Sequence, residues 1–195
     1  MQEIKVESIR IFLSKFSPTA PNSEVVSVKS PKRKNELEAS KKLIDTVLPG
    51  EQLTRDKFGK PFLASGNYYI SISHSKDCMA ISYCNERNHG IDLQHHTEKI
   101  LKIKSKFVNN EEQEFIVENE LKYLHLIWGA KEAAFKYFGS ELDFKRDITI
   151  QPFTPENRLL FKGKVQRKGK EYEFVFHAKI IDDMYLVCGF CDNFL

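Results

Sequence analysis

Two short stretches carry acids at spacings that suit a shared divalent cation. The first, Gly90-Ile91-Asp92-Leu93-Gln94, alternates apolar and oxygen-bearing residues. In a strand such residues separate by face, so Asp92 and Gln94 point one way and Ile91 and Leu93 the other. Two oxygen donors on one face can grip a hard cation, and Mg2+ commonly takes one or two carboxylates plus waters and substrate phosphates. Taken alone, the pentapeptide also reads as an edge strand with a solvated Asp and Gln. The second stretch is Trp128-Gly129-Ala130-Lys131-Glu132-Ala133-Ala134-Phe135-Lys136. Trp128, Glu132 and Lys136 recur every four residues and so lie near one helix face. Leu124, Ile127, Trp128, Phe135 and Phe138 form an apolar stripe that puts Glu132 at its margin. Burial there raises a carboxyl pKa unless a cation compensates. The plainer alternative, an exposed Glu–Lys pair worth a few tenths of a kcal/mol, leaves the neighbouring Trp128 unexplained.

Two further groups suit anions. Ser71-Ile72-Ser73-His74-Ser75 ends a strand with hydroxyls and an imidazole, a set able to contact a phosphate. It is not a Ser/His nucleophile pair, because adjacent strand residues point apart. A structural role for His74 is the alternative. Between Lys29 and Lys42, Lys29, Lys32, Arg33, Lys34, Lys41 and Lys42 outnumber Glu36 and Glu38. A compact anion suits this cluster, and a solvated helix entry is the competing reading. Cys188 and Cys191 form a C-x-x-C, but a redox motif opens a helix and zinc needs a second pair. Buried strand cysteines fit better. His95-His96 receives no metal role, since neighbours in a strand diverge.

The elements that must position these groups follow from periodicity. Residues 4–14 read as a strand, 17–22 as a loop and 35–48 as a helix, which Pro49-Gly50 ends. Gly59-Lys60-Pro61 is a turn. Three short strands follow at 69–73, 79–84 and 90–94, then helices at 110–119 and 121–138, with Gly139 as a C-cap. The tail, 147–191, reads as three or four strands. Residues 69–84 and 173–188 echo each other: each runs through a β-rich stretch and a histidine to a methionine and a second strand. Two similar halves or a shared hairpin composition would produce that.

Composition narrows the class. The 195 residues are 41% hydrophobic and 29% charged, as in ordinary globular proteins. A chain of this length buries roughly 70% of its unfolded surface and needs no staple. The N-terminus alternates charged and apolar residues, unlike a secretory signal, and no apolar run approaches the ~20 residues of a membrane span. The expectation is a cytoplasmic protein. The net charge of +3 and pI of 8.5 fall below the basicity usual for nucleic-acid binding, roughly pI > 9. No aromatic platform interleaves with the basic cluster either.

These motifs, in this order, resemble the 4′-phosphopantetheinyl transferase superfamily, most closely its larger, monomeric, surfactin-synthetase-activating type. The pattern is a basic helix start, a G-K-P turn, S-x-S-H, G-(V/I)-D-(I/L)-E, F-x-x-x-E and W-x-x-K-E-A-x-x-K. Here it reads as Lys32-Arg33-Lys34, Gly59-Lys60-Pro61-Phe62, Ser71 to Ser75, Gly90 to Gln94, Phe107 with Glu111-Glu112, and Trp128 to Lys136, across about residues 30–140. The last element is the most specific.

The resemblance implies an α+β fold of two pseudo-symmetric halves, residues 1–98 and 99–195. Each half would be a small antiparallel sheet on a long helix, with coenzyme A in the cleft between them. It implies transfer of 4′-phosphopantetheine from coenzyme A to a serine of an apo acyl or peptidyl carrier protein, as in fatty acid biosynthesis, with release of 3′,5′-ADP. Asp92 and Glu132 would hold Mg2+ or Mn2+, Gln94 would be a third ligand, and Glu132 would serve as base. Lys136, Ser73 and His74 would contact phosphates, and Lys32, Arg33, Lys41 and Lys60 the adenosine 3′-phosphate. The carrier would dock near residues 107–112. Gln94 departs from the family's usual Glu, and Lys41 from an arginine. Both departures keep open a non-catalytic relative that binds coenzyme A or a carrier protein.

Overall fold

Alternation of apolar and polar residues decides the architecture. A computed structural model describes residues 1–16, 31–139 and 141–192, with the side chains of residues 31–34 left aside. Strands β1 (Gln2–Val6) and β2 (Ile9–Lys15) form an antiparallel hairpin closed by Glu7-Ser8, where the sequence suggested one strand. Glu7 takes a left-handed φ of 51°. With no Gly, Asn or Pro at the bend, Ser8 is its one compositional mark, and a weak one. Helix α1 (Pro31–Val47) starts four residues before the expected position, because proline is tolerated in a first helical turn. The short strands β3 (Leu53–Arg55) and β4 (Pro61–Leu63) pair around Gly59. Then come β5 (Tyr69–Ser75), β6 (Cys78–Cys84) and β7 (Gly90–His95).

A 3-10 turn (Glu98–Ile103), α2 (Lys104–Phe107) and α3 (Asn110–Phe115) lead to the long α4 (Glu120–Phe138). Helix α3 begins with a capping box between Asn109 and Glu112. It stops short of residue 119, since Ile116 is extended and Asn119 left-handed. Gly139, at φ 88°, caps α4 as expected and donates its N–H to Phe135 O. Four strands follow: β8 (Ile148–Ile150), β9 (Arg158–Arg167), β10 (Lys170–Ile181) and β11 (Met184–Cys191).

All pairings are antiparallel, so the fold is α+β. One sheet runs β1-β2-β6-β5 and a second β7-β11-β10-β9-β8. The chain therefore crosses from the first sheet to the second between β6 and β7. Phe12, Met79, Ile81 and Tyr83 face α1 through Leu43 and Ile44, with Leu48 just past its end. The opposite face of that sheet, with Ile9, Ile11, Leu13, Cys78 and Ala80, meets Ile91, Leu93, Val175, Leu186, Cys188 and Phe190 of the second sheet. The far side of the second sheet, with Phe174, Phe176, Val187 and Cys191, packs on Leu124, Ile127, Ala130 and Ala134 of α4. Helix, sheet, sheet and helix are thus stacked in layers. All four cysteines are buried, and Cys188 and Cys191 belong to different cores on opposite faces of β11. That is the bland reading of the C-x-x-C.

The two echoed segments are the β5–β6 and β10–β11 hairpins. Each has a two-residue turn opened by a positive-φ residue, Lys76 at 51° and Asp182 at 52°.

Candidate active site

The cleft forms where β5, β7 and α4 converge. Among the described residues strand β7 is an edge strand, paired only with β11, so the backbone N–H groups of Ile91, Leu93 and His95 face away from a partner strand. Three serines on alternate positions of β5 supply the missing acceptors. The Ile91 N–H donates to Ser71 Oγ, that of Leu93 to Ser73 Oγ and that of His95 to Ser75 Oγ, each at 3.0 Å. The Ser-x-Ser-x-Ser pattern is therefore a side-chain ladder that fastens one sheet to the other. On the opposite side, Gly90 lies so close to α4 that a Cβ there would collide with Ala133 O. Gly129 likewise leaves no room for a Cβ beside Val187 and Gln94. Small residues let strand and helix approach until Asp92 and Glu132 open onto one space.

That space is a cleft of about 410 Å3, lined among others by Ser73, His74, Asp92, Gln94, Trp128 and Glu132, with Lys136 at its edge. Asp92 is 6% exposed. Its Oδ1 accepts from the Ser73 hydroxyl at 3.0 Å and from Lys136 Nζ at 2.9 Å. Lys136 also donates to Ser73 Oγ at 3.0 Å and to Ile91 O at 2.9 Å, so all three of its protons have acceptors. Glu132 makes no hydrogen bond or ion pair among the described residues. Its carboxyl is pushed above the usual range by burial first and by the Asp92 charge second, against a smaller opposing pull from Lys136. Trp128 lines the wall with its ring edge-on to Phe107 at 5.1 Å.

Several expected residues stand elsewhere or are already engaged. Gln94 lies in the cleft, but its Nε2 donates to Asp92 Oδ2 at 3.2 Å and to His125 O at 2.9 Å. Its carbonyl oxygen faces His125 Nδ1 at 2.7 Å. As placed, it offers Asp92 a donor, and a ligand role requires the amide to rotate. His74 lines the cleft while its Nε2 pairs with Glu36 of α1 at 3.0 Å. Lys60 does not line the cleft: its Nζ donates to Tyr137 O at 2.6 Å, in the last turn of α4. Lys41 is exposed on α1. Lys32 and Arg33 belong to the first turn of α1, and their side chains lie outside the described residues. In the 107–112 segment Phe107, Val108 and Glu112 are buried, leaving Asn110 and Glu111 as its fully exposed groups.

Two buried groups beside the cleft had no place in the sequence reading. His125 contacts Gln94 and is 1% exposed. Lys131, next to Glu132 on α4, is completely buried against Glu112. The Asn109-x-x-Glu112 capping box was a usable signal for the second, though it does not identify the lysine partner. Among the described residues, no group of three or more His, Cys, Asp or Glu is arranged to hold a metal, so the acidic set here is two carboxylates. No helix of the described residues is long and apolar enough to cross a membrane.

Residues 88–185, half of the chain, match the family model of the 4′-phosphopantetheinyl transferase superfamily. The chain belongs to this superfamily. The matched span runs from just before β7 into β11 and takes in Asp92, Glu132 and Lys136. The basic helix start, the G-K-P turn and the serine ladder precede it. Membership supports phosphopantetheinyl transferase activity in general, with coenzyme A as co-substrate. No curated protein matches the chain.

Proposed function

We propose that this protein transfers 4′-phosphopantetheine from coenzyme A to a serine of an apo acyl or peptidyl carrier protein. The serine oxygen attacks the phosphorus that bears pantetheine, the bond from that phosphorus to the bridging oxygen breaks, and 3′,5′-ADP leaves with the electron pair. The observation that carries this reading is Glu132: a half-buried carboxylate without a hydrogen-bond partner among the described residues, facing the same cleft as Asp92, in a chain of this superfamily. Two acids whose charges oppose each other across a small cleft are a fitting donor set for a divalent cation. Asp92 and Glu132 would hold it, as Mg2+ or Mn2+. Bound there, it would supply neutralisation of the diphosphate and of the departing 3′,5′-ADP.

The chain's own residues do the rest. Glu132, directly or through a water, accepts the proton of the carrier serine. Lys136 exchanges Ser73 and Asp92 for a phosphate oxygen. Ser73 keeps Asp92 oriented through its donated hydrogen bond, and His74 and Lys41 add contacts to the coenzyme phosphates. Lys60 joins them only by leaving Tyr137 O. Trp128 keeps one wall of the cleft apolar, which excludes water from the reacting atoms. The mild positive charge of the chain favours encounter with an acidic carrier.

The test is the intact mass of an apo carrier after incubation with the protein, coenzyme A and Mg2+. A gain of one phosphopantetheine, abolished by EDTA, supports the proposal. No gain on acyl and peptidyl carriers, with coenzyme A still bound, favours the second reading, a non-catalytic binder. The specific observation behind that alternative is the donor that Gln94 turns toward Asp92.

A further inference from the structure

His125 is a buried group beside the cleft, in contact with Gln94, that the proposed chemistry does not use. Its ring is stacked on Tyr185 at 4.5 Å with an interplanar angle of 13°, and tilted against His96 at 5.4 Å. Its proton position follows from its neighbours. Gln94 has one end facing Asp92 Oδ2 and the carbonyl of His125, both acceptors, so that end must be the NH2 group. The other end, Oε1, then faces His125 Nδ1 and requires a donor there. Nδ1 therefore carries the proton, and Nε2 accepts the Thr97 N–H at 3.0 Å, a shorter contact than the 3.3 Å to Thr97 O, which the bare nitrogen faces without a proton. With Nε2 accepting, the ring carries a single proton and is neutral. The result is one directed chain: Thr97 N–H to His125, His125 to Gln94, Gln94 to Asp92.

We infer that His125 is a positioning residue: through Gln94 it turns an N–H onto Asp92 Oδ2, restricts the protein's cation ligands to two carboxylates, and so makes cation capture depend on the coenzyme's diphosphate. This rests on the cation site proposed above. With Lys136 already bonded to Asp92, the protein alone offers a divalent cation two acids and one opposing lysine. Added diphosphate oxygens complete the shell in the way typical of Mg2+ sites. A third protein oxygen at Gln94 would hold the cation before the coenzyme arrives, and the His125 tautomer prevents it.

Mn2+ is the probe, with free Mn2+ read by electron paramagnetic resonance, with and without coenzyme A and without any carrier. Wild-type protein should bind Mn2+ at least about tenfold more weakly without coenzyme A than with it. Gln94→Glu should narrow that gap. His125→Leu frees Oε1 and should narrow it in the Gln94 protein, but add nothing in the Gln94→Glu background. His125→Asn places an amide N–H where Nδ1 stood and should retain the wild-type gap. The inference is overturned if His125→Leu shifts both backgrounds by the same factor or shifts neither, or if His125→Asn behaves like His125→Leu. Should His125→Leu fail to fold, an unchanged gap in Gln94→Glu or a lost gap in His125→Asn still overturns it. If wild-type protein with coenzyme A binds no Mn2+, or Asp92→Asn binds it normally, the cation site itself fails and takes this inference with it.

Discussion

Lys131→Met should cost this protein about 3–5 kcal/mol. Lys131 and Glu112 are each 0% exposed, and the ammonium lies 2.7 Å from Glu112 Oε1. It also donates to Phe107 O at 2.7 Å and to Phe144 O and Ile148 O at 2.8 Å each. Glu112 accepts in addition from the backbone N–H groups of Asn109 and Ile150. Methionine keeps the length and apolar stem of lysine, so packing is nearly conserved. What is lost is the charge opposite a fully buried carboxylate, and removal of one partner from such a pair typically costs about 3–5 kcal/mol. Three carbonyls lose a donor as well, which places the expectation in the upper half of that range. For a chain of this size each kcal/mol lowers the melting temperature by about 2–4 °C, giving a drop of roughly 8–20 °C. Urea denaturation and thermal melts at fixed pH measure both quantities. Adding Glu112→Leu should return part of the loss, because the stranded charge then disappears. A melting shift below about 3 °C with an unchanged urea m-value would refute the view that Lys131 compensates Glu112. The consequence reaches the site, since Lys131 fastens α4 to Phe107 and to residues 144–148 one position before Glu132.

Glu132→Gln should abolish transfer and yet stabilise the coenzyme-free fold near neutral pH. The folded pKa of Glu132 is raised, so the native state binds its proton more tightly than the unfolded chain does. Ionisation therefore costs stability, increasingly as pH rises from the unfolded carboxylate value of about 4.3 through the folded one. The gain in melting temperature from the substitution should be present at pH 7–8 and vanish below about pH 4; a less stable variant at neutral pH would contradict the shift. The acid limb of the transfer rate should likewise lie above the ordinary carboxylate range and move lower as Mg2+ is raised, and a limb that ignores Mg2+ counts against the shared site. Gly90→Ala should destabilise by about 1–3 kcal/mol or more, since its Cβ meets Ala133 O and β7 has to leave α4. Unchanged melting would disprove that contact. Ser71→Ala strands the Ile91 N–H, at a cost of about 1–3 kcal/mol, and should speed hydrogen exchange at that amide. Exchange at the wild-type rate would show that the ladder carries no weight there.

The parts of the site that repeat at a fixed period were legible. Asp92 and Gln94 share a face because strands alternate, and Glu132 and Lys136 line one cleft because helices recur near every fourth residue. Helix α4 and its Gly139 cap were readable for the same reason. Its apolar stripe was drawn too narrow: Gly129, Ala130, Ala133 and Ala134 are buried too, as small residues that admit the sheet at close range. What was not legible depends on partners distant in sequence. Nothing local marks His125 as the group that orients Gln94, 31 residues away. Lys60 reads as an anion contact until the C-terminal carbonyls of α4 are seen to need donors. Ser71, Ser73 and Ser75 read as phosphate contacts until β7 proves to be an open edge.

Ser73 shows how structural and chemical demands meet in one hydroxyl. It has one proton and two lone pairs. The proton goes to Asp92 Oδ1, and the lone pairs accept from Leu93 N–H and Lys136 Nζ. A phosphate oxygen is itself an acceptor, so it could bond Ser73 only by taking the proton now given to Asp92, which would leave that carboxylate free to turn. The donor for a phosphate has to come from elsewhere in the cleft. Lys136 is the dispensable partner: it is a quarter exposed, lies at the end of a flexible stem and is itself drawn to phosphate. The smallest rearrangement that admits a diphosphate is thus a swing of Lys136 alone, which removes its positive charge from Asp92 as the coenzyme arrives. Asp92 and Glu132 then face each other with less compensation than before, and the attraction of the cleft for a cation rises at the step where the diphosphate can share it.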